Sequence, residues 1–256
     1  MPRIARVKSK SGIYHIMIRG INRQSIFSDE EDNEKFIEVL HECKEISGYE
    51  LYAYCLMENH LHLLIKVINE PLEQIFKRIG ARYAFYYNWK YKRSGHLFQD
   101  RYKSEPVEND SYILTVMRYI HQNPIKAEIA KDIAKYRWSS YNDYMNKSGI
   151  TKTEFIYKIF DDDEQKAREQ FKCYNNEENN DICLENDIKI RISDNELNKI
   201  IRKKFKIEAM MIQVEPREKM IKILEKALNI KGISTRQLAK VAGISANIIW
   251  QISKSK

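Results

Sequence analysis

The chain has 256 residues, a formal net charge of +8 and a sequence pI of about 9.1. Hydrophobic residues make up 43%, enough to pack a core, which excludes a chain disordered throughout; the basic balance points to an anionic partner, nucleic acid first. Its four cysteines show no C-x-x-C spacing, the N-terminus lacks a signal-peptide core, and no apolar run approaches the ~18 residues of a membrane span. A reduced, cytoplasmic protein with no membrane partner is expected.

Tyr14 to Ile18 alternates as a strand and runs into Arg19-Gly20-Ile21-Asn22-Arg23, a loop that presents two guanidiniums beside a glycine. Asp29 to Ser47 reads as a helix, with acidic residues in its first turn, Phe36, Ile37, Leu40 and Cys43 at helical spacing, and Gly48 as its stop. Tyr49 to Leu56 is a second strand. Glu58-Asn59 turns it back into a third, which carries His60 and His62 and runs on to Val67.

The next helix, starting near Pro71, places Leu72, Ile75, Phe76 and Ile79 on a buried stripe. Tyr83, Phe85, Tyr86, Tyr87 and Trp89 follow, interleaved with Arg78, Arg82, Lys90, Lys92 and Arg93. That mixture suits single-stranded nucleic acid, by stacking and phosphate pairing, as well as it suits a core face with a solvated face. A short strand or strand pair is expected within His96–Val107, then a helix from Ser111 to Gln122, ended by Pro124. The order of strands and helices predicts an α+β fold: an antiparallel sheet of split βαβ kind with helices on one face.

After Trp138-Ser139-Ser140-Tyr141 the composition turns acidic and rich in Asn. The predicted organisation is therefore a first domain over 1–145, an acidic polar connector over 146–192, and a small all-α domain over 193–256. In that last part, Ser234 to Ala242 and Ser245 to Ile252 form two short helices joined at Gly243, with Ala239 where they would cross. The pattern reads as a helix-turn-helix; Arg236, Ser245 and Asn247 are its candidate DNA contacts.

His60 and His62, at i and i+2 on a strand, project from one face and can converge on one metal ion. A lone H-x-H is more often a pair of satisfied structural histidines. A metal needs at least a third ligand. The Asn123 amide oxygen could provide it, and Tyr119, one turn earlier, could place a phenol beside the same ion. An unaided phenol ionises near pH 10 and is a poor nucleophile; a divalent cation and nearby guanidiniums offset this by stabilising developing negative charge.

Five blocks in a fixed order resemble the single-tyrosine HUH transposases, most closely the REP-associated tyrosine transposases, over roughly residues 10 to 145. They are Tyr14-His15 leading into Arg19-Gly20-Ile21-Asn22-Arg23-Gln24-Ser25-Ile26-Phe27; Met57-Glu58-Asn59-His60-Leu61-His62; Gly95-His96-Leu97-Phe98-Gln99-Asp100-Arg101-Tyr102-Lys103; Arg118-Tyr119-Ile120-His121-Gln122-Asn123-Pro124-Ile125-Lys126-Ala127; and Trp138-Ser139-Ser140-Tyr141. The resemblance implies a ferredoxin-like sheet of the HUH endonuclease type. It also implies a magnesium or manganese ion on His60, His62 and Asn123, and Tyr119 as a nucleophile leaving a 5′-phosphotyrosine and a free 3′-hydroxyl. Single-stranded and hairpin DNA would be the substrate. From their own positions, Arg19 and Arg23 could clamp phosphate or pair with the acidic turn at Asp29-Glu30-Glu31, and Arg82, Arg101 and Lys103 are further candidate DNA contacts. A homodimer occurs among insertion-sequence relatives, whereas REP-associated members can act as monomers. The alternatives left open are a DNA-binding regulator that keeps the fold without cutting, and a rolling-circle initiator or relaxase. His15 is expected to make a structural hydrogen bond, and His41, His96 and His121 to be surface or packing residues. Trp138 is expected in the core, and Trp250 could close the core of the helix-turn-helix.

Overall fold

Four short runs of extended backbone build the sheet that positions the histidines: β1 (Ile13–Arg19), β2 (Glu50–Met57), β3 (His60–Lys66) and β4 (Lys103–Pro106). The structure, a computed structural model, describes residues 6–146, 148–184, 193–230 and 232–254. These fall into two units, divided between Glu185 and Asn186.

In the first unit the strand order is β2-β3-β1-β4, with every neighbouring pair antiparallel. The predicted α+β, split βαβ sheet is thus present. Of the stretch His96–Val107, only Lys103–Pro106 pairs as a strand, while Phe98 makes an isolated bridge to Gly20. Helix α1 (Glu30–Ser47) starts where the Asp29 carboxylate accepts from the Asp32 N–H, and it ends at Gly48, whose φ of 66° is left-handed. Helix α2 (Leu72–Lys90) packs beside it. Phe36, Leu40, Ile75, Ile79 and Tyr83 from these helices cover Ile16, Ile18, Leu61, Leu63 and Ile65 on one face of the sheet.

The opposite face is covered too, where a sheet with helices on one face was predicted. Ile113, Val116, Met117 and Ile120 of α3 (Asp110–Lys126) pack on Ala53, Cys55, Met57 and Leu64. The cause lies in β2, where every residue from Leu51 to Met57 is buried; such a continuous apolar run needs cover on both sides. Asn109 caps α3 by accepting from Tyr112 N–H. The helix does not stop before Pro124 but carries it in its last turn, and the Ala127 N–H bonds the Asn123 carbonyl. Proline this near a C-terminus removes few helical bonds.

Residues 146–192 are not mainly a connector. Helices α5 (Thr153–Phe160) and α6 (Glu164–Asn176) bury Ile156, Tyr157, Ala167 and Phe171 in the same core as α3. Their sparse apolar positions lie on one narrow stripe under a polar surface, which composition averages away. The part of the expected connector at 185–192 lies outside the described residues. Before these helices, a short helix α4 (Tyr141–Asn146) follows Trp138–Ser140, which runs along the edge of β2: Leu56 N–H bonds the Trp138 carbonyl and Ser140 N–H bonds the Tyr54 carbonyl, each at 2.9 Å. Trp138 is partly buried against the core.

The second unit holds α7 (Asp194–Phe205), α8 (Arg217–Leu228), α9 (Thr235–Ala242) and α10 (Ala246–Lys254). Ser193 opens α7 with a full capping box to Glu196. Ser234 caps α9 by accepting from Gln237 N–H, and Gly243 ends it at φ 67°. Leu197, Ile201, Leu224, Leu238, Ala242 and Ile249 are the centre of its core. Among the described residues no helix is long and apolar enough to cross a membrane.

The ring of Phe36 is fully buried and meets Phe27 and Tyr83 edge-on at 5.3 and 4.9 Å between centroids. Phe36→Ala is expected to cost the first unit about 3–5 kcal/mol, read as a lowered denaturation midpoint in near-UV circular dichroism.

Candidate active site

Antiparallel pairing decides which side chains share a face, because residues directly opposite one another project to the same side. In β1 against β3, Arg19 lies opposite His60, Met17 opposite His62 and His15 opposite Leu64. In β1 against β4, Met17 lies opposite Lys103 and His15 opposite Glu105. His15, Arg19, His60, His62, Lys103 and Glu105 therefore belong to one face, the one that α3 covers. The His60 and His62 rings sit 5.3 Å apart between centroids and nearly perpendicular.

Helix α3 brings Tyr119 onto this face. Its ring lies 5.6 Å from that of His62 and 5.7 Å from that of His15, edge-on to both, and only 8% of the residue is exposed. One turn on, the Asn123 side-chain N–H donates to the Tyr119 carbonyl at 2.9 Å. This bond turns the amide back along the helix. The Lys126 ammonium stands 5.1 Å over the Tyr119 ring. Helix α3 is itself fixed by His121, which is fully buried and bonds Ser140 Oγ and Asn175 Oδ1, each at 2.8 Å. His121 is thus a packing residue with a defined job: it ties the helix of Tyr119 to the strand-edge segment and to α6.

Both histidines of the pair are held through Nδ1. His62 Nδ1 lies 3.0 Å from His15 Nε2, and His60 Nδ1 lies 2.7 Å from Asn59 Oδ1. The hydrogen bond expected of His15 is therefore made to His62. Burial, reinforced by the Arg19 charge, pushes the His60 imidazole down to about 4. Burial also holds His62 well below its ordinary value, with His15, His60 and Arg19 adding to the effect. Neutral imidazole is the form that can ligate a metal. Among the described residues, no three His, Cys, Asp or Glu side chains form a metal-ligand cluster, so a metal on the two imidazoles would need another kind of donor. The carbonyl oxygen of Asn123 is chemically suited, as are water and phosphate oxygens.

The remaining candidates are spread over the chain. Arg19 is beside the pair, and its buried Nε has no hydrogen-bond partner among the described residues, as an anion contact requires. Arg23 is exposed in the adjoining turn, in a left-handed conformation at φ 61°. Lys103 is on the histidine face; Arg101 is exposed just before β4. Arg82 lies on α2, across the sheet from the histidines, ion-paired to Glu42. Of the α2 aromatics, Tyr83 and Tyr87 are core, whereas Phe85 and Trp89 are exposed. In the second unit Arg236, Ser245 and Asn247 are all exposed, and Ser245 Oγ accepts from Asn247 N–H at the start of α10. Trp250 is half-exposed, so it does not close that core. Sequence reasoning missed Glu105 and Lys126. The first needs the β1–β4 register, whereas the second could have been found one helical repeat beyond Tyr119.

Residues 8–123 match the family described as "Transposase IS200 like". Residues 8–123 are thus an IS200-like transposase domain. The family resemblance read from the five sequence blocks is thereby borne out. Among solved structures, the fold is similar to that of a REP-associated tyrosine transposase bound to a REP hairpin, with a TM-score of 0.50 and 15% identity over 61% of this chain and 93% of that one. A candidate transposase from Deinococcus radiodurans R1 matches at 18% identity over 50% of this chain and 99% of that one, with a TM-score of 0.34. No curated protein sequence matches the chain significantly.

His15 and His121 are fully buried and His62 almost so, and burial lowers each of their pKa values, that of His121 to about 4. An unfolded histidine takes its proton near pH 6.5, so the unfolded chain binds more protons below that point. The contribution of these groups is fully present above about pH 6.5 and is lost as the pH falls toward about 4. The melting temperature is expected to drop across that window, with a shallower drop in His121→Gln; a flat profile would contradict the buried neutral histidines.

Proposed function

We propose that the first unit is a divalent-metal-dependent single-strand DNA endonuclease and strand transferase with Tyr119 as nucleophile. The observation that carries this reading is the placement of Tyr119 against His62 and His15 on the one sheet face that also bears His60 and Arg19, with Asn123 one turn further along the same helix. The family match over residues 8–123 makes a transposase role the frame for it. In the proposed reaction Tyr119 Oη loses its proton and forms a bond to phosphorus. The bond from phosphorus to the 3′ oxygen breaks, and that oxygen takes up a proton. A 5′-phosphotyrosine and a free 3′-hydroxyl result, and reversal by another 3′-hydroxyl rejoins the strand.

His60, His62 and Asn123 are the residues suited to hold a magnesium or manganese ion. When bound, such an ion would supply charge stabilisation to the phosphate under attack. Arg19, Arg23 and Lys103 would position phosphates, Arg19 with an Nε that has no hydrogen-bond partner among the described residues. The Lys126 ammonium, 5.1 Å over the Tyr119 ring, sets a positive charge beside the proposed nucleophile. Hairpin DNA is the favoured substrate form, by likeness to the neighbour that binds a REP hairpin. In the second unit, α9 and α10 form a helix-turn-helix whose exposed Asn247 and Arg236 suit duplex contact.

Labelled hairpin DNA with manganese should give an SDS-stable covalent adduct with the wild-type protein and none with Tyr119→Phe. His60→Ala should lower the cleavage rate by at least about 100-fold through loss of the metal. An adduct that persists in Tyr119→Phe would remove Tyr119 from its role. Structure-specific binding with no product in either metal would instead favour the non-cleaving regulator.

A further inference from the structure

We propose that Glu105 and His15 form a positioning chain that fixes the tautomer and orientation of His62. This rests on the reading of His62 as a metal ligand and adds two residues to it. His62 and His15 are 1% and 0% exposed, so water cannot stand in for a missing partner at either ring. Their nitrogens meet at 3.0 Å, His62 Nδ1 to His15 Nε2, and in a hydrogen bond between neutral rings only one of the two carries the proton.

Two arrangements are available. If His15 Nε2 carries the proton, His15 Nδ1 turns a lone pair toward the Glu105 carboxylate 3.7 Å away, and His62 is left protonated at Nε2. If His62 Nδ1 carries it, His15 carries its own proton at Nδ1, pointing at that carboxylate, and His62 Nε2 keeps its lone pair. The first sets lone pair against negative charge in a buried setting; the second sets an N–H dipole toward it. Glu105 is held in place by the Leu184 N–H, which donates to Oε2 at 3.1 Å. The second arrangement prevails, and it is the one a ligand requires.

His60 reaches the same state by a different device. Asn59 donates from Nδ2 to the Arg23 carbonyl at 3.4 Å, which fixes its amide so that Oδ1 faces His60 Nδ1 at 2.7 Å. An oxygen accepts only, so His60 Nδ1 carries the proton and Nε2 the lone pair. Both imidazoles thus present Nε2 as the ligand atom before any metal arrives.

The test uses the full-length protein without DNA. Manganese affinity is measured by electron paramagnetic resonance, and histidine tautomers in the metal-free protein by long-range proton–nitrogen NMR on 15N-histidine-labelled samples. Wild-type His62 is expected as the Nδ1–H tautomer, with population moving to Nε2–H in Glu105→Ala. His15→Phe should weaken manganese binding by about 10–100-fold, and Glu105→Ala by less. Should His15→Phe fail to fold, Glu105→Ala decides the matter, because that carboxylate is a third exposed and its loss leaves the core intact. A wild-type His62 protonated at Nε2, or manganese affinity in the folded variants within about twofold of wild type, overturns the chain. Absence of manganese binding in the wild type would instead sink the metal reading, and the NMR result would still judge the tautomer.

Discussion

Everything at the site depends on the pairing of β1 with β3. That register sets Arg19 opposite His60 and His15 next to His62, and it gives Leu61, Leu63 and Ile65 to the core on the other side. A slip of one residue would invert the arrangement, with imidazoles in the apolar core and leucines facing α3. The apolar face prevents this. Those three side chains are fully buried, and exposing one costs about 1.5–3 kcal/mol, so the register of the functional face is enforced by residues that take no part in it.

The covering helix raises a separate problem of alignment. Helix α3 must hold Tyr119 against the histidines while packing on a sheet whose apolar contacts have no direction. Directional bonds supply what packing cannot. Ser140 Oγ is bonded by the Tyr54 N–H on β2 and by His121 of α3, and His121 also reaches Asn175 on α6. Two elements distant in sequence are thereby held at one hydroxyl, and a third is joined to them through His121. Such a network is costly if any member is missing, because each group is buried; that cost gives α3 a single setting along its axis.

Much of this was legible in the chain and some of it was not. The alternation around His60 and His62, the caps at Asp29 and Asn109 and the stop at Gly48 are local signals, and they survive folding unchanged. The block Trp138–Tyr141 was recognisable, but its role was hidden, since Ser140 acts only once β2 lies beside it. Glu105 was invisible for a similar reason: nothing in Lys103–Pro106 says which strand it will join. Helices α5 and α6 read as a connector because a short helix with two or three buried side chains and a charged exterior has the composition of a loop. The extension of α3 through Pro124 depends on how near that residue lies to the helix end, which pattern alone does not fix.

The corner where α1 begins and α2 ends has a consequence for any polyanion that approaches. The Lys90 ammonium is surrounded by Asp29, Glu31 and Asp32 at 2.7 to 2.9 Å, so one positive charge meets three negative ones. Arg82 and Arg78 on the same helix are likewise matched, to Glu42 and Glu70. The formal charge of +8 is therefore not spread evenly. Arg78, Arg82 and Lys90 are thus already matched by carboxylates, and the pull on phosphate is left to basic groups elsewhere. An uneven field of this kind acts as a torque on an incoming strand, turning it before contact rather than merely drawing it closer.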